Sequence, residues 1–445
     1  MTTSALEPYR TVGRDDPFWI LQYDKKGASR SPETLERVRD ALRSGEFTDV
    51  VVFSHGWNND WETATERYDH FVDGVVGQFP DEPRRRALLV GIFWPSALLV
   101  LPGEREPDFA SDIGEPTGAP VDPDAAALDD VAAELTPADA ARVRELAAQP
   151  RLDPGGTAEL AELLAPLYRS AGPELGESVV APDGPTLAAS WQSAPPPVDS
   201  PVPALDGPDD PDDDDFGAVI PGPHDGPRAA GFGDLIDPRS AVRGASVWLM
   251  KDRAGRVGTA AVGPLVRHAL AESQARVHLM GHSFGAKVVL SAVAAQPVAR
   301  PVHSMLLLQP AVNHLCFAEA GNGEPAGGYR VVLDRVEKGI FSTYSAHDKP
   351  LTQFFHWALR RDGDLREPLP APWPDPPSVY AALGGYGPHG AEASTQWHAL
   401  QPQGGAYQLD PERKLVALDG TRGIAGHSAI SVPATWWAFR QLVWS

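Results

Sequence analysis

The chain has 445 residues, 42% of them hydrophobic, with a net charge of −22 and a single cysteine, Cys316. That length supplies far more than one minimal core, and one cysteine excludes an intrachain disulfide framework and fits a reducing compartment. The acidic balance argues against nucleic-acid binding, because a phosphate backbone would be repelled.

The N-terminus carries no basic segment followed by an apolar run, so no signal peptide is expected. The longest apolar stretch, about residues 91–101, is too short for a membrane span and is broken by Pro95. A cytoplasmic protein is the expectation. In chain order, Phe18–Tyr23 reads as a first strand. Ser31-Pro32 reads as the cap and first turn of a helix carrying Leu35, Val38 and Leu42, with Gly45 as its stop. Asp49–Phe53 is almost wholly apolar, the pattern of a strand buried on both faces of a parallel sheet. A helix follows, with Trp61, Tyr68, Phe71, Val72 and Val75 at helical spacing, and Ala87–Trp94 is the next strand.

Residues 102–240 differ from their flanks. Residues 101–240 hold 29 of the 60 acidic residues but only 7 of the 38 basic ones, so the rest of the chain is formally neutral. They include the Asp-rich run 208–215 and the Pro-rich stretch 195–203. Low hydrophobicity with like charge predicts disorder over much of 171–232. Two helical islands precede it. One has Thr136 as N-cap, Pro137 in the first turn and Asp139 as third residue; the other opens at Thr157 and carries Leu160, Leu163, Leu164 and Leu167 on one face. The insertion is read either as a solvated linker or as a lid over a pocket, and as a surface where a protein partner could bind.

Beyond it, Val257–Ala275 reads as a helix leading into strand Arg276–Met280, and Ala286–Gln296 as the next helix. Strands are expected at Ser304–Leu308, Gly339–Tyr344 and Lys414–Leu418, then a last helix from about Pro433 that buries Trp436, Trp437 or Phe439. Alternating strands and helices imply a doubly wound, mainly parallel α/β sheet, with reactive groups at the carboxyl ends of its strands. The core would comprise residues 1–101 and 241–445, with 102–240 inserted.

The chemistry concentrates at those strand ends. Gly281-His282-Ser283-Phe284-Gly285 is a G-x-S-x-G sequence between an apolar strand and a helix. A strand–turn–helix this sharp leaves no room for side chains beside the nucleophile, and the helix N-terminus favours developing negative charge. Ser54-His55-Gly56-Trp57 directly follows the strand 49–53. An acyl-transfer site needs two convergent backbone N–H donors for its oxyanion; Phe284 and Trp57 are the candidates, and His55 reads as a loop anchor. Chain order then asks for an acid and a histidine after Ser283. Asp348 lies just past a strand end and His427 in the loop before the last helix. Asp334 is a rival acid, placed before a strand; His347, His389 and His398 are rival bases. Phe354, Phe355, Trp357, Trp373 and Trp397 could line an apolar acyl site or simply pack a core. No phosphate-binding Gly-x-x-x-x-Gly-Lys-Ser/Thr, His-Glu-x-x-His or Cys-x-x-Cys sequence occurs, so neither cofactor nor metal is expected.

The strand-ending His-Gly-Trp-Asn-Asn, the Gly-His-Ser-Phe-Gly elbow, the Ser-x-x-Asp-Lys-x-Leu stretch around Asp348 and the Gly-His-Ser around His427 resemble the α/β-hydrolase superfamily. They look most like a poorly characterised bacterial branch with a His-Gly-Tyr/Trp-Asn strand end. The resemblance covers about residues 15–100 and 241–445 and omits the insertion. It implies an eight-stranded sheet, a Ser–His–acid triad, no cofactor, and substrates among carboxylic esters, lipids, thioesters and amides. The expectation is a serine hydrolase acting on a small-molecule acyl or ester substrate through an acyl-enzyme. A catalytically silent binding or scaffolding protein of the same fold is the alternative.

Overall fold

The structure is a computed structural model and describes residues 7–56, 61–80, 82, 85–96, 123–170, 183–193, 236–321, 325–355 and 381–444. Trp57, Trp357 and Trp373 lie outside these residues, as do the Pro-rich and Asp-rich stretches and most of 171–232.

Nine strands form one sheet: β1 Arg10–Val12, β2 Asp16–Gln22, β3 Asp49–Ser54, β4 Ala87–Phe93, β5 Arg276–His282, β6 Ser304–Leu308, β7 Ile340–Tyr344, β8 Thr395–Ala399 and β9 Leu415–Asp419. Their spatial order is β1-β2-β4-β3-β5-β6-β7-β9-β8. β1 pairs antiparallel with β2, and every other pairing is parallel. The sheet is thus mainly parallel, with nine strands where eight were expected. The pattern reading passed over both edge strands. β1 has three residues, and β8, Thr-Gln-Trp-His-Ala, leaves Trp397 exposed and so lacks the apolar run of a central strand.

The central strands are apolar on both faces because both faces are covered. Alternate residues part into two cores. Val50, Val52, Leu88, Val90, Val277 and Leu279 join one with the helices α1 Pro32–Arg43, α7 Pro238–Val257, α8 Gly263–Glu272 and α9 Phe284–Ala294. Val51, Phe53, Leu89 and Met280 join the other with α2 Trp61–Val76 and α10 Pro433–Trp444. Tyr68, Phe71, Val72 and Val75 are the buried face of α2, and Phe439 is the deeply buried aromatic of α10. Ser31 does not cap α1 through its side chain; its Oγ accepts from Gln22 N–H at 2.9 Å and ties the helix to β2.

The described part of the insertion forms four helices, α3 Pro123–Ala132, α4 Pro137–Ala147, α5 Pro154–Ser170 and α6 Gly184–Ser193. Thr136 caps α4 as expected, accepting from Asp139 N–H at 3.3 Å. α5 opens at Pro154, ahead of Thr157, because Asp153 Oδ1 accepts from Gly156 N–H at 2.8 Å. α6 falls inside the span expected to be disordered, which corrects that reading at 184–193. These helices are packed rather than solvated. Val131, Val143, Leu160, Leu164, Tyr168 and Leu187 are buried in the same core as Trp248 of α7. Arg253 of α7 pairs with Asp130 of α3 at 3.0 Å.

α7 itself begins at Pro238, well before the helix start expected at Val257, capped by Asp237 accepting from Arg239 N–H at 3.0 Å. Almost its whole surface is buried between the insertion and α9, so it shows no amphipathic period. It runs through a π-turn, Gly258–Val262, into α8. β3 and β5 are neighbours, yet the helices that follow them, α2 and α9, lie on opposite faces. Adjacent connections that diverge in this way open a crevice at the carboxyl ends of the two strands.

Candidate active site

Ser283 stands at that crevice, between the end of β5 and the start of α9. Its backbone has φ 55° and ψ −124°, a conformation costing a non-glycine residue on the order of 1–3 kcal/mol. Packing holds it there. Ser283 N–H donates to Leu308 O at 3.0 Å, and Ser283 O accepts from Ala286 and Ala311 N–H, each at 3.1 Å. The flanking glycines are required by contact. A Cβ on Gly285 would lie 2.1 Å from Ser54 O, and one on Gly281 would lie 2.5 Å from Ala286 Cα. Gly56 is needed for the same reason, since its Cβ would fall 2.5 Å from Ser283 Cβ.

The structure brings Ser283, His427 and Asp348 into one hydrogen-bonded chain. His427 Nε2 is 2.9 Å from Ser283 Oγ, and His427 Nδ1 is 2.8 Å from Asp348 Oδ2. A carboxylate only accepts, so the Nδ1 proton points at Asp348 and the Nε2 lone pair at the serine hydroxyl. All three residues are buried, with Ser283 0% exposed. Asp348 Oδ2 also accepts from Gln309 Nε2 at 2.9 Å, and Oδ1 from Leu351 N–H at 3.0 Å.

The loops carrying the acid and the histidine are tied together. Gly420 N–H donates to Tyr344 O at 2.8 Å, Ser345 Oγ donates to Ile424 O at 2.9 Å, and Ala346 N–H donates to Thr421 Oγ1 at 3.2 Å. His282 adds a tie from the elbow. Its Nε2 donates to His427 O at 2.9 Å, with the two rings 5.0 Å apart. The histidine inside the G-x-S-x-G sequence therefore touches the backbone of the residue that faces Ser283.

His55 accepts at Nε2 from Trp94 N–H at 3.3 Å and directs Nδ1 to Gly56 O at 2.6 Å. Its ring stacks on Trp94, with centroids 5.5 Å apart, and Tyr68 OH accepts from His55 N–H at 3.1 Å. Burial pushes the Tyr68 hydroxyl pKa upward, so it stays protonated and donates to Ile92 O. These bonds fix the loop that approaches the elbow. Phe284 is buried and opens α9, which puts its amide in the first turn directly behind the serine. Trp57, the other amide chosen from the sequence, lies outside the described residues.

The rival residues lie elsewhere. Asp334 is exposed in a turn before β7. His347 is half-buried beside Asp348 and uses its backbone N–H on Ser345 Oγ. His389 bonds to Tyr386 O, and His398 bonds to Gln396 Oε1. Phe355 is buried 6.4 Å, ring to ring, from Phe284, whereas Trp397 is exposed at the sheet edge. Pattern reading missed Gln309, Thr343, Ser345 and the contact of His282. Gln309 carried one usable signal, its place immediately after strand Ser304–Leu308, beside the elbow strand.

Among the described residues, no group of three or more His, Cys, Asp or Glu side chains is arranged to hold a metal ion. None of the helices searched there is long and apolar enough to cross a membrane. No protein-family model, curated protein or solved structure matches the chain, so the functional reading rests on the site's own geometry.

Proposed function

We propose that the chain is a serine hydrolase of the α/β-hydrolase type that cleaves an ester-type acyl substrate through an acyl-enzyme. The observation that carries this reading is the relay Asp348–His427–Ser283, bonded at 2.8 and 2.9 Å, with its serine in a left-handed turn at a strand end. Residues 1–101 and 241–445 make the hydrolase core in this reading, and 102–240 the insertion.

His427 Nε2 removes the Ser283 proton as Oγ attacks the acyl carbon. The Phe284 and Trp57 amides hold the negative oxygen of the tetrahedral intermediate. The protonated His427 then gives its proton to the leaving alcohol oxygen, the ester bond breaks, and the acyl group stays on Ser283. Water attacks that ester with His427 again as base, releasing the acid and restoring the serine. Asp348 keeps His427 in the Nδ1–H form and stabilises the imidazolium.

The test is labelling by a fluorophosphonate probe together with hydrolysis of p-nitrophenyl esters of rising chain length. Wild-type protein should be labelled and hydrolyse one or more of the esters, and Ser283→Ala should do neither. A folded wild-type chain that shows no Ser283-dependent labelling would count decisively against the reading.

A further inference from the structure

Gln309 is the first residue after β6, and it is strained and wholly buried, with φ 43° and 0% exposure. A buried glutamine in the left-handed region loses stability twice, through backbone strain and through desolvation of its amide, unless every polar atom is used. Here its backbone N–H and both ends of its side-chain amide are used. Gln309 N–H donates to Thr343 Oγ1 at 2.9 Å. The Thr343 hydroxyl gives its own proton to Gln309 Oε1, at 2.9 Å, because the Asp348 carboxylate only accepts and so takes the Nε2 end. This fixes which end of the side-chain amide faces which way. Nε2 is turned to the other side, where it donates to Asp348 Oδ2 at 2.9 Å and to Gly384 O at 3.3 Å.

The oxygen it meets is the one that also accepts from His427 Nδ1. With Leu351 N–H on Oδ1, the carboxylate is held at both oxygens and cannot rotate Oδ2 away from the imidazole.

We infer that Gln309 is a positioning residue of the hydrolytic site: it pins the Asp348 carboxylate to His427, and Thr343 in turn pins Gln309. The inference rests on the hydrolase reading for its consequence on rate, but its geometric content stands apart from that reading. It extends the relay to five residues, Thr343, Gln309, Asp348, His427 and Ser283, drawn from the carboxyl ends of β5, β6, β7 and β9 and from the last turns of chain beyond them.

The test uses the full-length chain as wild type, Gln309→Leu, Thr343→Val and Thr343→Ser. One readout is the low-field Nδ1 proton resonance of His427, which depends on a rigid bond to Asp348. The other is the rate constant of fluorophosphonate labelling at Ser283, separated from the half-saturating probe concentration. Gln309→Leu should lose the resonance to solvent exchange and slow labelling by about tenfold to a hundredfold, with half-saturation unchanged. Thr343→Val should do the same more weakly, and Thr343→Ser, which keeps the hydroxyl, should restore both signals. A folded Gln309→Leu with the wild-type resonance and rate overturns the inference. If Gln309→Leu does not fold, Thr343→Val decides in its place, and wild-type values there overturn it. Absence of labelling in the wild type would sink the hydrolase reading, and the resonance alone would then judge Gln309.

Discussion

Two serine–histidine–aspartate sets sit at opposite ends of this one sheet. At the carboxyl ends are Ser283, His427 and Asp348. At the amino ends, His278 of β5 bonds through Nδ1 to Ser304 of β6 at 2.8 Å and through Nε2 to Asp49 of β3 at 3.1 Å. Exposure does not separate them, because Ser283 and Ser304 are both 0% exposed. Nor does connectivity, since in each set one ring nitrogen donates to a carboxylate while the other faces a hydroxyl. The backbone and the charge balance do. Ser304 opens a strand, whereas Ser283 sits in a strained turn with a helix N-terminus behind it. Asp49 is met by the Arg276 guanidinium at 2.9 Å, so its charge is already neutralised. Asp348 receives the neutral donors of Gln309 and Leu351 besides His427, which leaves its charge available to an imidazolium. Under the hydrolase reading, what sets one relay apart is what surrounds its members, not their sequence of bonds.

The largest expected contrast is at the hydroxyl. Ser283→Ala should lower ester hydrolysis by about 10⁵-fold or more while leaving the fold intact. Asp348→Asn should come next, with kcat down by about 10⁴-fold, because an amide can hold His427 in the wrong tautomer. Steady-state rates on the best p-nitrophenyl ester check both. Asp348→Asn retaining near wild-type kcat would erase the distinction drawn between the two carboxylates.

The amino-end set should show itself in stability instead. Burial raises the Asp49 pKa, but hydrogen bonds from His278, Thr48 and Arg276 outweigh it and bring the pKa to about 2 from 3.8. A carboxylate depressed in the folded state contributes stability above its unfolded value and loses it as pH falls through the folded one. Asp49 should therefore contribute about 2 kcal/mol at neutral pH, lost between about pH 4 and pH 2. Burial lowers the His278 pKa, so the unfolded chain takes its proton first and stability also declines as pH drops below 6.5. Urea unfolding across pH should show the lower step in wild type and not in Asp49→Asn, whose ester hydrolysis at neutral pH should match that of wild type. A lower step that survives in Asp49→Asn would assign it to other carboxylates.

The same asymmetry governs what the sequence revealed. The carboxyl-end site was legible because its needs are local and chemical: glycines where a Cβ would strike backbone at Gly281 and Gly285, an apolar strand before the turn, an acid and a histidine in order after it. The central strands were legible because burial on both faces demands unbroken apolar runs such as Val50–Phe53. Gln309 was not, since nothing local marks a glutamine whose partners, Thr343 and Asp348, lie 34 and 39 residues away. The bonds of His278 were hidden for the same reason, with Asp49 lying 229 residues off. α7 escaped because a helix buried nearly all round has no polar stripe, and α6 because the charge average of its surroundings masked a short Ala- and Leu-containing segment.

The smallest expected effect is also the sharpest control. Ser304→Ala removes the hydroxyl that faces His278 Nδ1 and leaves that nitrogen at a site 1% exposed, where water has little access. Losing one partner of a buried pair costs about 1–3 kcal/mol, and the small change in volume adds little. Urea unfolding should report that loss. Ester hydrolysis should stay within about twofold of wild type, because among the described residues the hydrogen-bond partners named at the two ends of the sheet are different. Ser283→Ala should silence the reaction, with a stability cost of the same order as that of Ser304→Ala, since alanine keeps the strained backbone and removes only the hydroxyl that faces His427 Nε2. If Ser304→Ala slowed hydrolysis as steeply as Ser283→Ala, the two ends would be coupled through β5, and the strained turn alone would no longer account for which serine reacts.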